Sequence, residues 1–181
     1  MEVFDPKTQT WEPVLCRLPV LCPLLANIRN NIKLNSTVIE GRIYYMFEST
    51  TLAYHPKEDK WEAIRERMGG LGSCCVIDKV LYCGSVSQGL KWYDTKKHNW
   101  VNIKGLEVLP KFTSYDSVKL ADYGGTLAVF SKNMYYVSKE TRVWCAVIVF
   151  ERRGNDEIWG TVEWFDTVLT VPNFYSLVCA L

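Results

Sequence analysis

Short apolar segments separated by polar turns recur along the chain. Residues 38–44 and 76–82 align without a gap, and each consists of an apolar segment, an acidic turn and a second apolar segment. Residues 123–129 repeat the pattern with a glycine pair in the middle, where a tight turn between two strands requires positive φ. We predict a β-hairpin at each of these three places.

A second pattern, of aromatic and polar positions, also recurs three times. Residues 4–11, 54–61 and 93–100 superimpose without a gap, and each runs from an aromatic residue through a Lys-containing polar turn to a Trp seven positions later. We predict a hairpin in which the aromatic residue ends one strand and the Trp opens the next, so that the two rings pack together. Such a pair adds roughly 0.5–1.5 kcal/mol beyond its buried area. The predicted pairs are Phe4 with Trp11, Tyr54 with Trp61, and Tyr93 with Trp100.

One hairpin of each kind makes a repeat of four short strands. The Trp residues of successive repeats are 50 and 39 positions apart, which is close to the roughly 40 to 50 residues of a four-stranded propeller blade. A fourth copy of the repeat is looser. There we match Phe150 and Trp159 to the aromatic pair, although they stand nine positions apart, and Trp144 is the competing choice.

These motifs, in this register, resemble the kelch repeat, in particular the kelch region of plant F-box/kelch-repeat proteins. The resemblance rests on the acidic or Gly turn, the aromatic residue followed by Trp, Phe4-Asp5-Pro6 and residues 159–164, and it spans nearly all of residues 1–165. It implies an all-β fold, a partial kelch-type β-propeller made of four-stranded antiparallel blades. It also implies that the propeller holds a protein to be ubiquitinated, while an F-box docks onto the ubiquitin ligase through its adaptor.

The repeats divide the chain into an incomplete kelch propeller, residues 1–165, and a C-terminal strand or tail, residues 166–181. These units fall short of the closed rings of typically 4–8 blades. We therefore expect either a truncated or fragmentary version of a longer propeller or completion of the ring by self-association. The predicted units are a half blade at about 1–15 and blades at about 36–64, 73–104 and 117–165.

Two departures from the family pattern bear on function. No F-box-like segment precedes the first hairpin in this sequence, so we expect a ubiquitin-ligase adaptor as partner only if an F-box is present upstream. Lys79 stands where the family pattern favours glycine, and we expect this departure to affect only the turn that contains it. We predict a non-enzymatic module that binds an unknown target protein and resembles the substrate-recognition part of an F-box ubiquitin ligase. The alternative is a stand-alone kelch scaffold or truncated fragment without a ligase role.

Composition and charge narrow the class of protein. Of 181 residues, 48% are hydrophobic and 23% charged, so we expect a folded core, and the abundance of Trp, Tyr and Phe favours strands over a helical bundle. A net charge of +1 gives no field that would collect nucleic acid or an anionic membrane. Residues 18–28, the most membrane-like stretch, are too few to span a bilayer. Because the start carries no secretory signal pattern, we expect a cytoplasmic or nuclear protein.

The cysteines, histidines and possible nucleophiles of the sequence do not form a recognisable catalytic or metal site. The seven cysteines are an odd number, and we expect reduced thiols packed as small apolar groups. Their spacing and the two isolated histidines, His55 and His98, do not suit zinc. His55 occupies the position of Asp5 and Asp94 in the other hairpins, which favours turn hydrogen bonding over catalysis. No nucleophile lies in an elbow motif, so we expect no enzyme activity, no metal and no cofactor.

A recognition surface on a propeller is expected on the loops that join strands at one face. The stretches that differ most between the repeats are residues 62–73, 84–91 and 104–117. The last of them contributes Phe112, Tyr115 and Asp116 as contact residues, and the alternative is that these residues only cover a blade edge. We therefore assign no residue to a catalytic, cofactor-binding or metal site.

Overall fold

A computed structural model describes residues 2–13, 35–46, 51–64, 71–85, 89–111, 118–135, 139–154 and 157–173, together with Tyr175 and Leu177. The regular elements in these ranges are β-strands, as aromatic and β-branched residues between polar turns favour. No helix in these ranges has the length and apolar character needed to cross a membrane. In chain order the strands are β1 (Glu2–Asp5), β2 (Thr10–Pro13), β3 (Asn35–Ile39), β4 (Arg42–Met46), β5 (Thr51–His55), β6 (Lys60–Ile64), β7 (Leu71–Ile77), β8 (Val80–Ser85), β9 (Gly89–Asp94), β10 (Asn99–Asn102), β11 (Val118–Tyr123), β12 (Thr126–Tyr135), β13 (Glu140–Arg153) and β14 (Glu157–Pro172).

The strands form four antiparallel sheets in which neighbours in sequence are neighbours in space. Sheet 1 contains β1 and β2, whereas sheet 2 (β3 to β6), sheet 3 (β7 to β10) and sheet 4 (β11 to β14) each have four strands. The predicted fold class, an all-β partial propeller of four-stranded antiparallel blades, is confirmed. The domain boundaries stay a prediction, and β14 runs from Glu157 to Pro172, across the predicted boundary at residue 165.

The first turn of each four-stranded sheet contains two residues with positive φ. This backbone conformation is required at both central residues of a type I′ hairpin turn. Lys79, which replaces the glycine of the family pattern, adopts a φ of 64° and so keeps the turn. The three predicted hairpins are confirmed, with turns at Glu40-Gly41, Asp78-Lys79 and Gly124-Gly125.

The aromatic hairpins have the predicted register. In each of them the aromatic residue and the Trp stand directly opposite each other on antiparallel strands. Centroids of the paired rings are therefore within the range of favourable aromatic contacts. The separations are 5.2 Å for Phe4 and Trp11, 4.8 Å for Tyr54 and Trp61, and 5.2 Å for Tyr93 and Trp100.

The fourth aromatic pair was predicted wrongly. Phe150 stands opposite Gly160, and Trp159 stands opposite Glu151. The ring of Phe150 instead stacks on Tyr82 of sheet 3, with centroids 4.4 Å apart. The cause is the greater length of β13 and β14, which have 14 and 16 residues and two register shifts between them.

Two clusters of buried side chains hold neighbouring sheets together. The cluster between sheets 3 and 4 includes Leu127, Val129 and Ile148, which have no solvent exposure. The cluster between sheets 2 and 3 includes Tyr44 and Tyr93, whose rings meet edge to face at 5.7 Å. Each fully buried large apolar side chain contributes about 1.5–3 kcal/mol. The core therefore lies between sheets 2, 3 and 4, so each of these sheets depends on its neighbours.

The hairpin β7–β8 of sheet 3 and the strand β11 of sheet 4 make a close contact. Ser73 Oγ of β7 accepts a hydrogen bond from the Leu120 amide of β11 at 3.1 Å. Gly84 stands opposite Ser73, and a Cβ atom added at Gly84 would lie 2.9 Å from Cγ1 of Val118. Only glycine therefore fits at position 84 without a shift of the Val118 side chain or of β11.

The expectation that the cysteines are reduced thiols is wrong for one pair. Cys74 of β7 and Cys83 of β8 stand opposite each other and are joined by a disulfide bond. The physical reason is the hairpin itself, which places the two residues on the same rung. Among the described residues Cys75 and Cys145 are free thiols, and burial raises the pKa of both.

Candidate binding surface

Turns of sheets 2 and 3 and the end of β13 in sheet 4 line a cavity of about 240 Å³. In an antiparallel meander the first and third turns lie at the same end, which brings the turns after β3, β7 and β9 together. Sheet 4 contributes a residue close to the end of β13. The charged residues that line the cavity are Glu40, Asp78, Asp94, Lys79, Lys96 and Arg152.

Asp94 organises the turn after β9 and is almost fully buried. Its Oδ1 atom accepts hydrogen bonds from the amides of Lys96 at 3.0 Å and Lys97 at 3.1 Å, and Lys97 Nζ lies 3.4 Å from Oδ2. Burial disfavours the charged carboxylate, but the Lys97 and Lys96 hydrogen bonds outweigh burial and hold its pKa below the usual range. The turn therefore presents a fixed negative charge at the cavity wall.

Arg152 places a positive charge against the aromatic side of the cavity. Its guanidinium group lies over the ring of Trp92, 5.7 Å from the ring centroid, which is a favourable cation–π distance. Burial raises the pKa of the neighbouring Tyr82 to about 12, so its hydroxyl stays neutral. The contact joins sheet 4 to sheet 3 and leaves the exposed arginine at the surface.

The two histidines, predicted to be isolated, lie on either side of one carboxylate. His55 Nε2 is 3.4 Å from Glu62 Oε2, and His98 Nδ1 is 3.9 Å from Glu62 Oε1. His55 takes part in its turn through its backbone carbonyl, which accepts a hydrogen bond from the Glu58 amide at 3.1 Å. The described parts of the chain contain no group of three or more side chains arranged to hold a metal ion. The three residues connect sheets 2 and 3.

The predicted contact residues Phe112, Tyr115 and Asp116 lie outside the described residues. The described part of that loop begins at Lys104, which bridges in parallel to Trp159 of β14. The Lys104 amide donates to the Ile158 carbonyl at 3.1 Å, and the Gly160 amide donates to the Lys104 carbonyl at 2.8 Å. Residue 104 thus covers the edge of β14, and the role of Phe112, Tyr115 and Asp116 stays a prediction.

The cavity combines fixed charges of both signs with aromatic surface. This arrangement suits the binding of polar and charged groups from another protein. The rim offers positive groups to acidic side chains of a partner and negative groups to its basic side chains. Sequence reasoning did not single out Arg152. The signal that was available is the internal repeat, which places the equivalent residues Glu40 and Asp78 in the same turn of successive sheets.

Comparison with known proteins gives the family. The profile described as "FKB95, Kelch-repeats domain" matches residues 1–169. The chain belongs to this kelch-repeat family. Its three four-stranded sheets are accordingly kelch blades, and the aromatic hairpin recurs in sheets 1, 2 and 3.

Relatives of this kelch chain occur in Arabidopsis thaliana. F-box/kelch-repeat protein At4g39550 is 43% identical over 189 residues, which cover 100% of this chain and 45% of the relative. F-box/kelch-repeat protein At5g48990 is 39% identical over 194 residues, which cover 99% of this chain and 47% of the relative. The chain therefore spans about half the length of the curated relatives that it matches.

Proposed function

We propose that this chain is a non-enzymatic protein-binding module that acts as the substrate-recognition part of an F-box ubiquitin ligase. The observation that carries the proposal is the family match over residues 1–169, together with relatives that are named F-box/kelch-repeat proteins. Kelch repeats in such proteins indicate a protein-interaction role. The finer assignment, recognition of a protein for ubiquitination, is the step that needs a test.

The cavity at the turn end is the surface that we propose for contact with the target protein. Its rim carries Asp78, Lys79 and Arg152 as exposed charges from two sheets. Complementary charges on a partner favour the correct complex and speed its formation.

A substitution at Arg152 tests this surface. We expect Arg152→Glu to lose the proteins that the wild-type chain captures from a plant extract, because the reversed charge faces Glu40, Asp78 and Asp94 across the cavity. Arg142→Glu is the matched control, since Arg142 is an exposed arginine of the same strand that does not line the cavity. Equal capture by both variants would show that the target protein binds at another surface.

The ligase assignment is tested by co-purification with the ligase adaptor. We expect the chain as given to leave the adaptor unbound, and a version extended by upstream coding sequence that contains an F-box to bind it. If neither version binds the adaptor but both retain the captured target, the chain is a stand-alone kelch scaffold. The cytoplasmic or nuclear location stays a prediction, which imaging of a fluorescently tagged chain would test.

A further inference from the structure

The disulfide-bonded cysteines of sheet 3 lie where two sheets pack together. Cys74 and Cys83 stand on one rung of the β7–β8 hairpin, with their Cα atoms 4.2 Å apart. Both side chains contribute to the cluster between sheets 2 and 3. Cys83 has no solvent exposure, whereas Cys74 is half-buried.

The next pair of opposed residues in the same hairpin contacts sheet 4, on the other side from sheet 2. Ser73 and Gly84 form that pair, and they touch Leu120 and Val118 of sheet 4 through the hydrogen bond and the close approach described above. Because side chains alternate between the two faces of a strand pair, adjacent rungs serve adjacent sheets. The bond between Cys74 and Cys83 therefore lies in sheet 3, which is the middle one of the three four-stranded sheets.

We propose that Cys74 and Cys83 are a reversible redox pair, oxidised by a low-molecular-weight disulfide such as glutathione disulfide, and that their bond stabilises the packing of sheet 3 on sheet 2. The backbone of β7 and β8 is paired by its own ladder, from Leu71 opposite Ser85 to Ile77 opposite Val80. Opposed residues of an antiparallel pair already lie at about 4.5 Å when they are not hydrogen-bonded to each other. The two sulfurs therefore meet in the folded chain without a change of backbone path.

Reduction of the bond between Cys74 and Cys83 consumes two molecules of reduced glutathione. A glutathione thiolate attacks Sγ of the half-buried Cys74, the bond between Cys74 and Cys83 breaks, and Cys83 leaves as a thiolate that takes up a proton. A second glutathione thiolate then attacks the glutathione sulfur of the mixed disulfide. This step releases glutathione disulfide and the Cys74 thiolate, which is protonated in turn. Two electrons pass to the protein, and the reverse sequence oxidises the pair.

Cys75 provides the matched control. It is the next residue on β7, stands opposite Tyr82 and is a free thiol that packs against the cluster on the other side of the sheet. Burial and the nearby Asp122 carboxylate raise its pKa, which lowers the thiolate fraction available for exchange. A linkage through Cys75 would therefore contradict the assignment to Cys74.

Tryptic mapping at controlled redox ratio tests the proposal directly. Trypsin cleaves after Arg67, Lys79 and Lys91, so Cys74 and Cys83 fall in different fragments, residues 68–79 and 80–91. The full chain is equilibrated with mixtures of reduced and oxidised glutathione, alkylated, digested and weighed by mass spectrometry. We expect the two fragments to be linked in oxidising mixtures and separate in reducing ones. The linkage should persist in Cys75→Ser and disappear in Cys74→Ser.

The second readout is the urea midpoint of unfolding. Oxidation should raise the midpoint of the wild-type chain and of Cys75→Ser, and it should leave that of Cys74→Ser unchanged. Three results would overturn the proposal: no linked fragments at any glutathione ratio, linkage that requires Cys75, or a bond that excess reduced glutathione leaves intact in the folded chain. The adaptor and target experiments do not depend on this outcome.

Discussion

The hairpins β1–β2 and β9–β10 carry the same motif in different surroundings. Their aromatic rings are equally close, with centroids 5.2 Å apart in both. Phe4 and Trp11 are nevertheless 44% and 65% exposed, whereas Tyr93 and Trp100 are only 3% and 5% exposed. The motif thus determines the geometry of the pair, and the surroundings determine its burial.

The difference lies in what each hairpin packs against. β9 pairs with β8 on the side away from β10, and Tyr93 and Trp100 belong to the cluster between sheets 2 and 3. In the part of the chain that the structure describes, β1 pairs with β2 alone. Most of the stabilisation by an aromatic pair should therefore come from the neighbouring strands and sheets, and the substitutions Trp100→Ala and Trp11→Ala measure how much.

The largest effect is expected for Trp100→Ala. Removal of this buried ring leaves a void between sheets 2 and 3, and we expect a loss of about 3–5 kcal/mol in the free energy of unfolding. Urea unfolding followed by circular dichroism measures it. A loss no greater than that of Trp11→Ala would break the comparison, because it would mean that burial adds nothing to the motif.

The next effect concerns the contact between sheets. We expect Gly84→Ala to destabilise the chain by about 1–3 kcal/mol, because the new methyl group would overlap Val118 and force sheet 4 away from sheet 3. The same unfolding measurement applies. The double variant Gly84→Ala with Val118→Ala should recover part of the loss, and a failure to recover any would point to a cause other than this contact.

Asp94 gives an effect of about 1 kcal/mol with a defined pH dependence. Asp94→Asn keeps an acceptor oxygen but removes the charge that strengthens the hydrogen bonds from Lys96 and Lys97. Since the folded pKa is lowered, the wild-type advantage is present above the unfolded pKa of about 3.9 and is lost as pH falls through the folded value. Unfolding free energies of both chains should therefore converge below about pH 4. A difference that persists unchanged at low pH would contradict the role of the charge.

The smallest effect is expected for Trp11→Ala. The exposed pair with Phe4 retains only the aromatic contact itself, so we expect a loss of about 0.5 kcal/mol. Trp11→Ala in a version of the chain extended upstream sharpens the comparison. If added strands bury the hairpin, the loss should rise toward the value for Trp100→Ala, and an unchanged loss would show that the hairpin stays exposed.

Local motifs predicted the hairpins, because ring spacing and turn residues act over a few positions. They did not predict the fourth sheet, where the length of β13 and β14 moved Phe150 from its expected partner to Tyr82. That outcome depends on packing between sheets, which no single repeat encodes. The cavity was missed for the same reason, since Arg152 reaches Trp92 from another sheet.

The disulfide bond, by contrast, had a signal in the sequence. In a hairpin with a two-residue turn, residues equally far from the turn stand opposite each other. Cys74 is four positions before Asp78, and Cys83 is four positions after Lys79. The Asp78-Lys79 turn was therefore sufficient to pair the two cysteines, whereas the number of cysteines carries no information about pairing.

The bridge from Lys104 to β14 has a consequence for the order of folding events. The Lys104 and Glu157 side chains, which form an ion pair, are separated by 53 positions in the sequence, and closing a loop of this length has a large entropic cost. We therefore expect the bridge to form after the transition state for folding. Substitutions at Lys104 should accelerate unfolding and leave the rate of folding almost unchanged. The ion pair would then add a small increment to the lifetime of the contact between the Lys104 segment and β14, without changing how fast the fourth sheet forms.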